Sequence, residues 1–476
     1  MMRKIDAPAR PKAPDLRASI EELQAFLTAH PEIEAFDLML IDPNGIARGK
    51  TVRRHEIEGI WENGRHLPGS ILGLDVTGED VDETGLVWTD GDADRCGWPL
   101  PGTLVPSLWT DPPRGQFRVA LHEMDGTPVW ADCRHVLQRQ IDRLAVRGLS
   151  AVAAFELEFY LIEADRDTLT PQAARMPLSG TRPFGTNVYC VEELDRLEPF
   201  SRDLYLAAQA QGLPVETLIS EYAAGQFELT LHHGDVMQAA ENLLALKHLL
   251  RGVARRHGMQ ACFMAKPFAE RSGSGMHLHA SLCDRDGRNL FADRDGALSP
   301  DLLGAIGGLL DTVSESMLVM APHHNSWMRF AARSYAPTTP NWGINHRGVA
   351  IRVPAGSPGG RHLEQRLAGV DANPFLVAAV TLEAMLRGMD SQRDPGPPVD
   401  AGAAEAERSS AGDADGGPAL PRNWTDAIEA ANGSAFLKDV LGETMHRVFV
   451  AIKRAEAARF AAYISPLDYQ LYLETV

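Results

Sequence analysis

Several stretches of the chain place acidic or imidazole side chains at every second residue, the spacing that puts them on one face of a β-strand. In AFELEFYLIEA (154–164), Glu156, Glu158 and Tyr160 alternate with Phe155, Leu157, Phe159 and Leu161. GQFELTLHH (225–233) sets Gln226, Glu228, Thr230 and His232 against Phe227, Leu229 and Leu231, with Glu221 just upstream. SGSGMHLHASL (272–282) alternates His277, His279 and Ser281 with Met276, Leu278 and Ala280, behind glycines that let backbone approach a ligand closely. RHLEQRL (361–367) alternates His362, Glu364 and Arg366, and HRGVAIRVP just before it supplies Arg347 and Arg352. One acidic pair, about 6 to 7 Å apart along a strand, fits a wet sheet edge equally well. Glutamates from separate strands converging on one cleft would instead repel unless divalent cations neutralised them. Oxygen-rich ligation with a single imidazole favours Mg2+ or Mn2+ over zinc, and the arginines have the chemistry of a phosphate clamp. The residues alone point to metal-dependent phosphate chemistry, with a ligase among the candidates. Walker A, Rossmann and kinase signatures are absent from the sequence.

The elements that must hold these faces are legible in the surrounding pattern. ASIEELQAFLTAH (19–31) has helical periodicity, and IEAFDLMLIDPNGIARGKTV (33–52) reads as strand, turn at Pro43-Asn44-Gly45, and strand. A small sheet-bearing domain is expected over 17–106, after a disordered leader at 1–16, with a larger domain over 107–476. FRVALHEM and TPVW read as a hairpin, and CRHVLQRQIDRLAVRGL (133–149) as an amphipathic helix leading into the acidic strand. The segment 391–419, poor in large aliphatic residues, is expected to be a mobile loop. Short strands with one polar face suit an open sheet lining a cleft. The 476 residues carry a formal charge of −18, which argues against nucleic acid or an anionic membrane as partner. Five cysteines without CxxC spacing indicate neither a disulfide framework nor a structural zinc site. The scattered cysteines fit a reducing, cytoplasmic setting, and LLGAIGGLL (302–310), the least polar stretch, is too short by itself to span a bilayer, so a soluble protein is expected.

Taken in order, LMLIDPNGIARGKTV, FELEF, EYAAGQFE, KPFAERSGSGMHLHAS, NSWMRF, NHRGVAIRVP and RHLEQRLAGVDANPF resemble the motifs of the glutamine synthetase superfamily. The resemblance implies an α+β fold, with a small N-terminal β-grasp domain and a larger catalytic domain whose open antiparallel sheet is flanked by helices. It also implies self-association into stacked rings, commonly a dodecamer, and ATP-dependent activation of the γ-carboxylate of glutamate before a nitrogen nucleophile displaces phosphate. By motif position, Glu158, Glu221 and Glu228 resemble a first metal site beside glutamate, and Glu156, His277 and Glu364 a second that bridges the ATP phosphates. Arg329, Arg366 and the backbone of Gly273 match the glutamate side, and Arg347 and Arg352 the phosphate clamp. Arg347, Arg366 and Glu364 are thereby the expected catalytic group. Ser281 matches a nucleotide contact, with His279 and His362 beside it.

Departures from the family pattern fall on the amine side. Ammonium-using relatives have an aspartate in Asp-Gly-Ser-Ser and a glutamate in Gly-Tyr-Glu-Ala-Pro; here the matching stretches read HLPGSILGLD and RSYAP, which put Leu67 and Tyr335 at those positions. Loss of both acids removes attraction for a small cation and leaves room for carbon on the nitrogen, similar to the branch that makes γ-glutamyl amides from polyamines or alkylamines. Ser272, His346 and His362 stand where asparagine, asparagine and arginine are usual. Ammonium-dependent glutamine synthesis and a non-catalytic binding or structural role remain the alternatives.

Overall fold

The computed structural model describes residues 11–89, 91–164, 170–330, 335–399 and 420–476. Part of the expected leader (1–10) and most of the expected loop (400–419) lie outside the described residues. The first helix, Ile20–Ala29, starts where the Ser19 hydroxyl accepts the Glu22 amide. Strands β1 (Ala35–Ile41) and β2 (Ala47–Arg53) form the expected hairpin. Its turn is set by Asp42, whose carboxylate accepts the Asn44 and Ile46 amides, and by Gly45 at φ 74°.

The N-terminal sheet does not stop at residue 106. It is built from β1, β2, β3 (Arg65–Pro68), β4 (Asp94–Pro99), β5 (Val105–Ser107) and β6 (Arg114–His122), in the order β2-β1-β6-β4-β3 with β5 also on β6. β6 is thus the central strand of this sheet, parallel to β1 and antiparallel to β4. The reason is burial: every residue from Gly115 to His122 is covered, as a central strand requires. The expected hairpin partner TPVW contributes only a bridge between His122 and Pro128.

The second sheet carries the polar faces. It comprises β7 (Ser150–Ala164), β8 (Pro171–Ala173), β9 (Val215–Ser220), β10 (Gln226–Leu231), β11 (Gly234–Asp235), β12 (Gln260–Cys262), β13 (Met276–Cys283), β14 (Trp342–Ile344), β15 (Ile351–Val353) and β16 (Leu363–Gln365). Its main path runs β14-β15-β16-β13-β7-β10-β9, antiparallel throughout except for the parallel pair β14–β15. Phe155, Leu157 and Phe159 of β7 are fully buried on the helix-covered face, in one core with Leu243, Leu246 and Leu250 of the helix Val236–Arg256. The opposite face is left to Glu156 and Glu158.

The helix Pro300–Met320 is, by length and composition, apolar enough to cross a bilayer, in contrast to the short LLGAIGGLL run within it. It is instead a core helix, packed on Pro374–Asp390, with two thirds of its most apolar window buried. Its glycines explain the packing: a Cβ on Gly308 would sit 2.1 Å from the Ala384 carbonyl, and one on Gly388 2.0 Å from that of Gly304. The two helices touch backbone to backbone. The start of the expected mobile loop is also fastened, since the Val399 amide donates to Trp342 and the Trp342 indole to Gly396.

The N- and C-terminal parts share structure. Val448 and Ile452 of the helix Ala435–Ala461 sit in the N-terminal core, and fully buried Lys453 donates to Asn44 in the β1–β2 turn. Arg118 on β6 and Arg134 both pair with buried Glu241, at 3.0 and 2.7 Å.

Candidate active site

Strand register assembles the site. β13 and β7 pair so that His277 lies opposite Glu156; β10 and β7 set Glu228 opposite Glu158; β16 sets Glu364 opposite His279 and Arg352. Residues as distant in sequence as Glu156 and Glu364 thereby form one polar row across the sheet. Within it, His277 Nδ1 is 2.9 Å from Glu156 Oε2 and 3.6 Å from Glu364 Oε1. His279 Nε2 is 3.0 Å from the other oxygen of Glu156, and His279 Nδ1 is 3.1 Å from His362 Nε2. Candidate ligand atoms of Glu156, His279 and Glu364 lie within 4.8 Å of one another. This set brings in His279, which sequence reasoning placed on the nucleotide, beside His277, which it placed on the metal.

The charges of the row are unbalanced in a way that suits divalent cations. Burial works to raise the Glu156 carboxyl, but hydrogen bonds from His277 and His279 hold it far below the usual carboxylate range. Burial similarly opposes ionisation of Glu364, and His277 and Arg366 overcome it. For Glu228 the balance goes the other way: burial, then the neighbouring charges of Glu156, Glu158 and Glu221, outweigh the opposing charge of Arg347 and push it up to about 9. Glu221 is raised too, by burial and by Glu158. A cation among these carboxyls would offset their mutual repulsion and favour the ionised form that can ligate it. Carboxylate oxygens with imidazole nitrogen are the donors of Mg2+- or Mn2+-class sites.

Cationic groups face the same row. Arg352 donates to Glu364 at 2.9 Å and Arg366 donates to its other oxygen, yet the Nε–H of both arginines is buried without a hydrogen-bond partner. Guanidinium groups paired with a carboxylate at one edge can donate to an anion with the N–H groups that remain. Arg347 is exposed and lowers Glu221 and Glu228 through its charge. Arg329 is buried and fixed by donation to the Leu367 and Arg366 carbonyls, with Glu158 in electrostatic reach. Gly273 lies against it: an added Cβ would fall 2.7 Å from Arg329 Cγ and 2.8 Å from the Ala265 carbonyl. The neighbouring Gly275 amide donates to Glu158 at 2.7 Å.

Two supporting residues were on the polar face in the sequence but received no role. Tyr160 donates its hydroxyl to the Ser272 carbonyl at 2.7 Å, and Gln226, opposite it in register, donates to the Gly273 carbonyl and the Ser274 hydroxyl. Together they pin the glycine loop. Their place in the alternation with Glu156, Glu158 and Glu228 was the available signal.

Other expectations meet the structure differently. Ser281 lies two residues beyond His279 on β13 and is almost fully buried. Tyr335 is 62% exposed, and residues 331–334 beside it lie outside the described residues. Leu67 is a correction: it is completely buried in the N-terminal core, with its side chain against Gly97, and cannot line an amine pocket. Alternation along β3 turns His66 and Pro68 outward instead. Asp75 serves the fold, accepting from Thr77 and Glu79 and pairing with Arg459.

Residues 130–472 match the glutamine synthetase catalytic domain. The chain is 35% identical over 461 residues to the gamma-glutamylputrescine synthetase PuuA of Escherichia coli K12, covering 96% of this chain and 95% of that protein. It is 29% identical over 454 residues to a glutamine synthetase of Mycolicibacterium smegmatis, with 93% and 96% covered. Among solved structures, a GmaS/ADP complex matches with a TM-score of 0.81 at 27% identity, over 94% of this chain and 99% of that one. GmaS without ligand matches with 0.79 at 28% identity, over the same shares.

Proposed function

Because the chain belongs to the glutamine synthetase family, we propose that it joins the γ-carboxylate of glutamate to the nitrogen of a polyamine or small alkylamine, cleaving ATP to ADP and phosphate. The observation that carries the ligase reading is the meeting of Arg352 and Arg366 with Glu364 on a row of carboxylates whose mutual repulsion favours cations. In the proposed reaction, a γ-carboxylate oxygen attacks the terminal phosphorus of ATP and the bond to ADP breaks. The amine nitrogen then attacks the acyl carbon, the bond to phosphate breaks with its electron pair on phosphate, and the nitrogen gives up a proton. Activation is needed because a carboxylate is a poor electrophile and an acyl phosphate has a good leaving group.

Arg329 and the Gly273 backbone are assigned to holding glutamate, and Arg366 to its activated carboxyl. Arg347 and Arg352 are assigned to the phosphoryl oxygens, where charge develops. Ser281 and His279 form the proposed nucleotide end. Glu158, Glu221 and Glu228 would hold one Mg2+ or Mn2+, and Glu156, His277 and Glu364 another; such ions neutralise and polarise phosphoryl oxygens when bound.

The amine reading is supported by the relatedness to PuuA and by the absence of acid where ammonium-using relatives have it. Leu67 faces inward, and the stretch Arg65 to Gly73 contains no Asp or Glu. Tyr335 stands in place of the flap glutamate. Self-association is part of the same proposal, supported by the exposed apolar C-terminal residues Tyr463, Ile464, Leu467, Tyr469 and Leu473. Use of ATP fits a cytoplasmic setting. The test is a panel assay of glutamate- and ATP-dependent phosphate release with ammonium, monoamines, diamines and longer polyamines, with the product weighed by mass spectrometry. Amide formed with an amine and little with ammonium is expected; a specificity constant for ammonium above that for every amine overturns the reading.

A further inference from the structure

The polar row contains a second imidazole whose orientation is dictated by hydrogen-bond bookkeeping. The Gly360 carbonyl can only accept, and it lies 2.9 Å from His362 Nδ1, so that nitrogen carries the proton. Neutral His362 therefore presents a lone pair at Nε2, which lies 3.1 Å from His279 Nδ1. His279 Nδ1 must then be the donor. In the neutral ring the lone pair of His279 Nε2 then faces Glu156 Oε1 at 3.0 Å, whereas in the metal-free protein a second proton on the ring makes this a donated hydrogen bond. A divalent cation can take the place of that proton between the two atoms, and candidate ligand atoms of Glu156, His279 and Glu364 lie within 4.8 Å of one another. The 3.0 Å separation is that of adjacent donors each about 2.1 Å from one octahedral ion. His277, at 2.9 Å from the other Glu156 oxygen, lies on the same row.

We infer that His362, standing where the family pattern has an arginine, is a positioning residue that fixes the tautomer of His279 and presents His279 Nε2 as an additional metal ligand, giving a site of Glu156, His277, His279 and Glu364. The relay from a backbone carbonyl through one imidazole to another is the kind of support that orients ligating histidines. Arginine at 362 could not do this, having donors only. Two imidazoles beside two carboxylates shift the preference of the site from Mg2+ towards Mn2+, Co2+ or Zn2+.

This inference rests on the metal-binding part of the proposed ligase site but is read without turnover, so its failure leaves the amine assay intact. Pulsed electron paramagnetic resonance of the full-length wild type loaded with Mn2+ counts coordinated imidazole nitrogens. Two are expected at the higher-affinity site, and a single one overturns the assignment. Calorimetric Mn2+ titration then compares His362→Gln, which keeps a neutral acceptor, with His362→Leu, which removes it. The leucine variant is expected to lose roughly 10- to 100-fold in affinity, with the glutamine variant close to wild type. Equal affinities in all three proteins, or equal losses in both variants, refute the positioning role.

Discussion

Glu228 concentrates the electrostatic tension of the cleft, since burial and three neighbouring carboxylates together push its acid to about 9. If that tension exists to hold a cation, Glu228→Ala should remove one metal-binding event from a calorimetric titration. It should also reduce ligase turnover on the order of 100-fold while leaving the unfolding midpoint of metal-free protein unchanged or higher. Gly273 tests the glutamate end. With Arg329 Cγ 2.7 Å from where a Cβ would go, Gly273→Ala must displace either the arginine or the loop. Steady-state kinetics should show the KM for glutamate rising roughly tenfold or more, with circular dichroism unaltered. An unchanged KM would remove Arg329 and Gly273 from the glutamate site.

At the scale of elements, the junction between the C-terminal helix and the N-terminal loops is held by a buried ion pair. Glu456 accepts from Lys453 at 2.9 Å and from the Val76 amide at 3.1 Å. Burial works to raise its carboxyl, but Lys453, with His323 beside it, outweighs burial and holds it at about 2. The folded value lies below the ordinary one of 4.5, so the stabilisation is present in full above pH 4.5 and is lost as pH falls through about 2. Over that window the contribution is about 3 kcal/mol, at 1.36 kcal/mol per unit. Urea unfolding of wild type and Glu456→Gln should therefore differ most near neutral pH and converge as the solution approaches pH 2. A difference that is constant across this range would show that the pair does not titrate with folding.

For the whole molecule, the segment after the helix Ala435–Ala461 is unusual in what it shows to solvent: Tyr463, Leu473 and Val476 are 67, 72 and 96% exposed. A run of aromatic and aliphatic side chains left this bare fits the proposed self-association, in which a second copy of the chain would cover it. Val448 and Ile452, which complete the N-terminal core, lie upstream of it, so deletion of 463–476 leaves that core intact. Light scattering should give a lower mass for the truncated protein than for the full chain at the same concentration. Equal masses would place the contacts elsewhere.

The sequence by itself determined the faces. Period-two alternation put Glu156, Glu158, Glu228, His277, His279 and Glu364 on polar strand surfaces, because side chains on a strand point alternately to its two sides whatever the strand is paired with. It also located the hairpin turn at Asp42 to Gly45, whose chemistry is local. Tertiary structure alone decided what depends on pairing. Which strand lies beside which made Glu156 the partner of two histidines and set Glu228 opposite another carboxylate, Glu158. Strand order drew β6 back into the N-terminal sheet past the expected boundary, since local pattern does not say which sheet a buried strand joins. Burial turned Leu67 into a core residue, because alternation along a strand separates its two faces without saying which of them the core covers. The contact of His279 with His362 likewise exists only through the antiparallel pairing of β13 and β16, which brings together residues 83 positions apart.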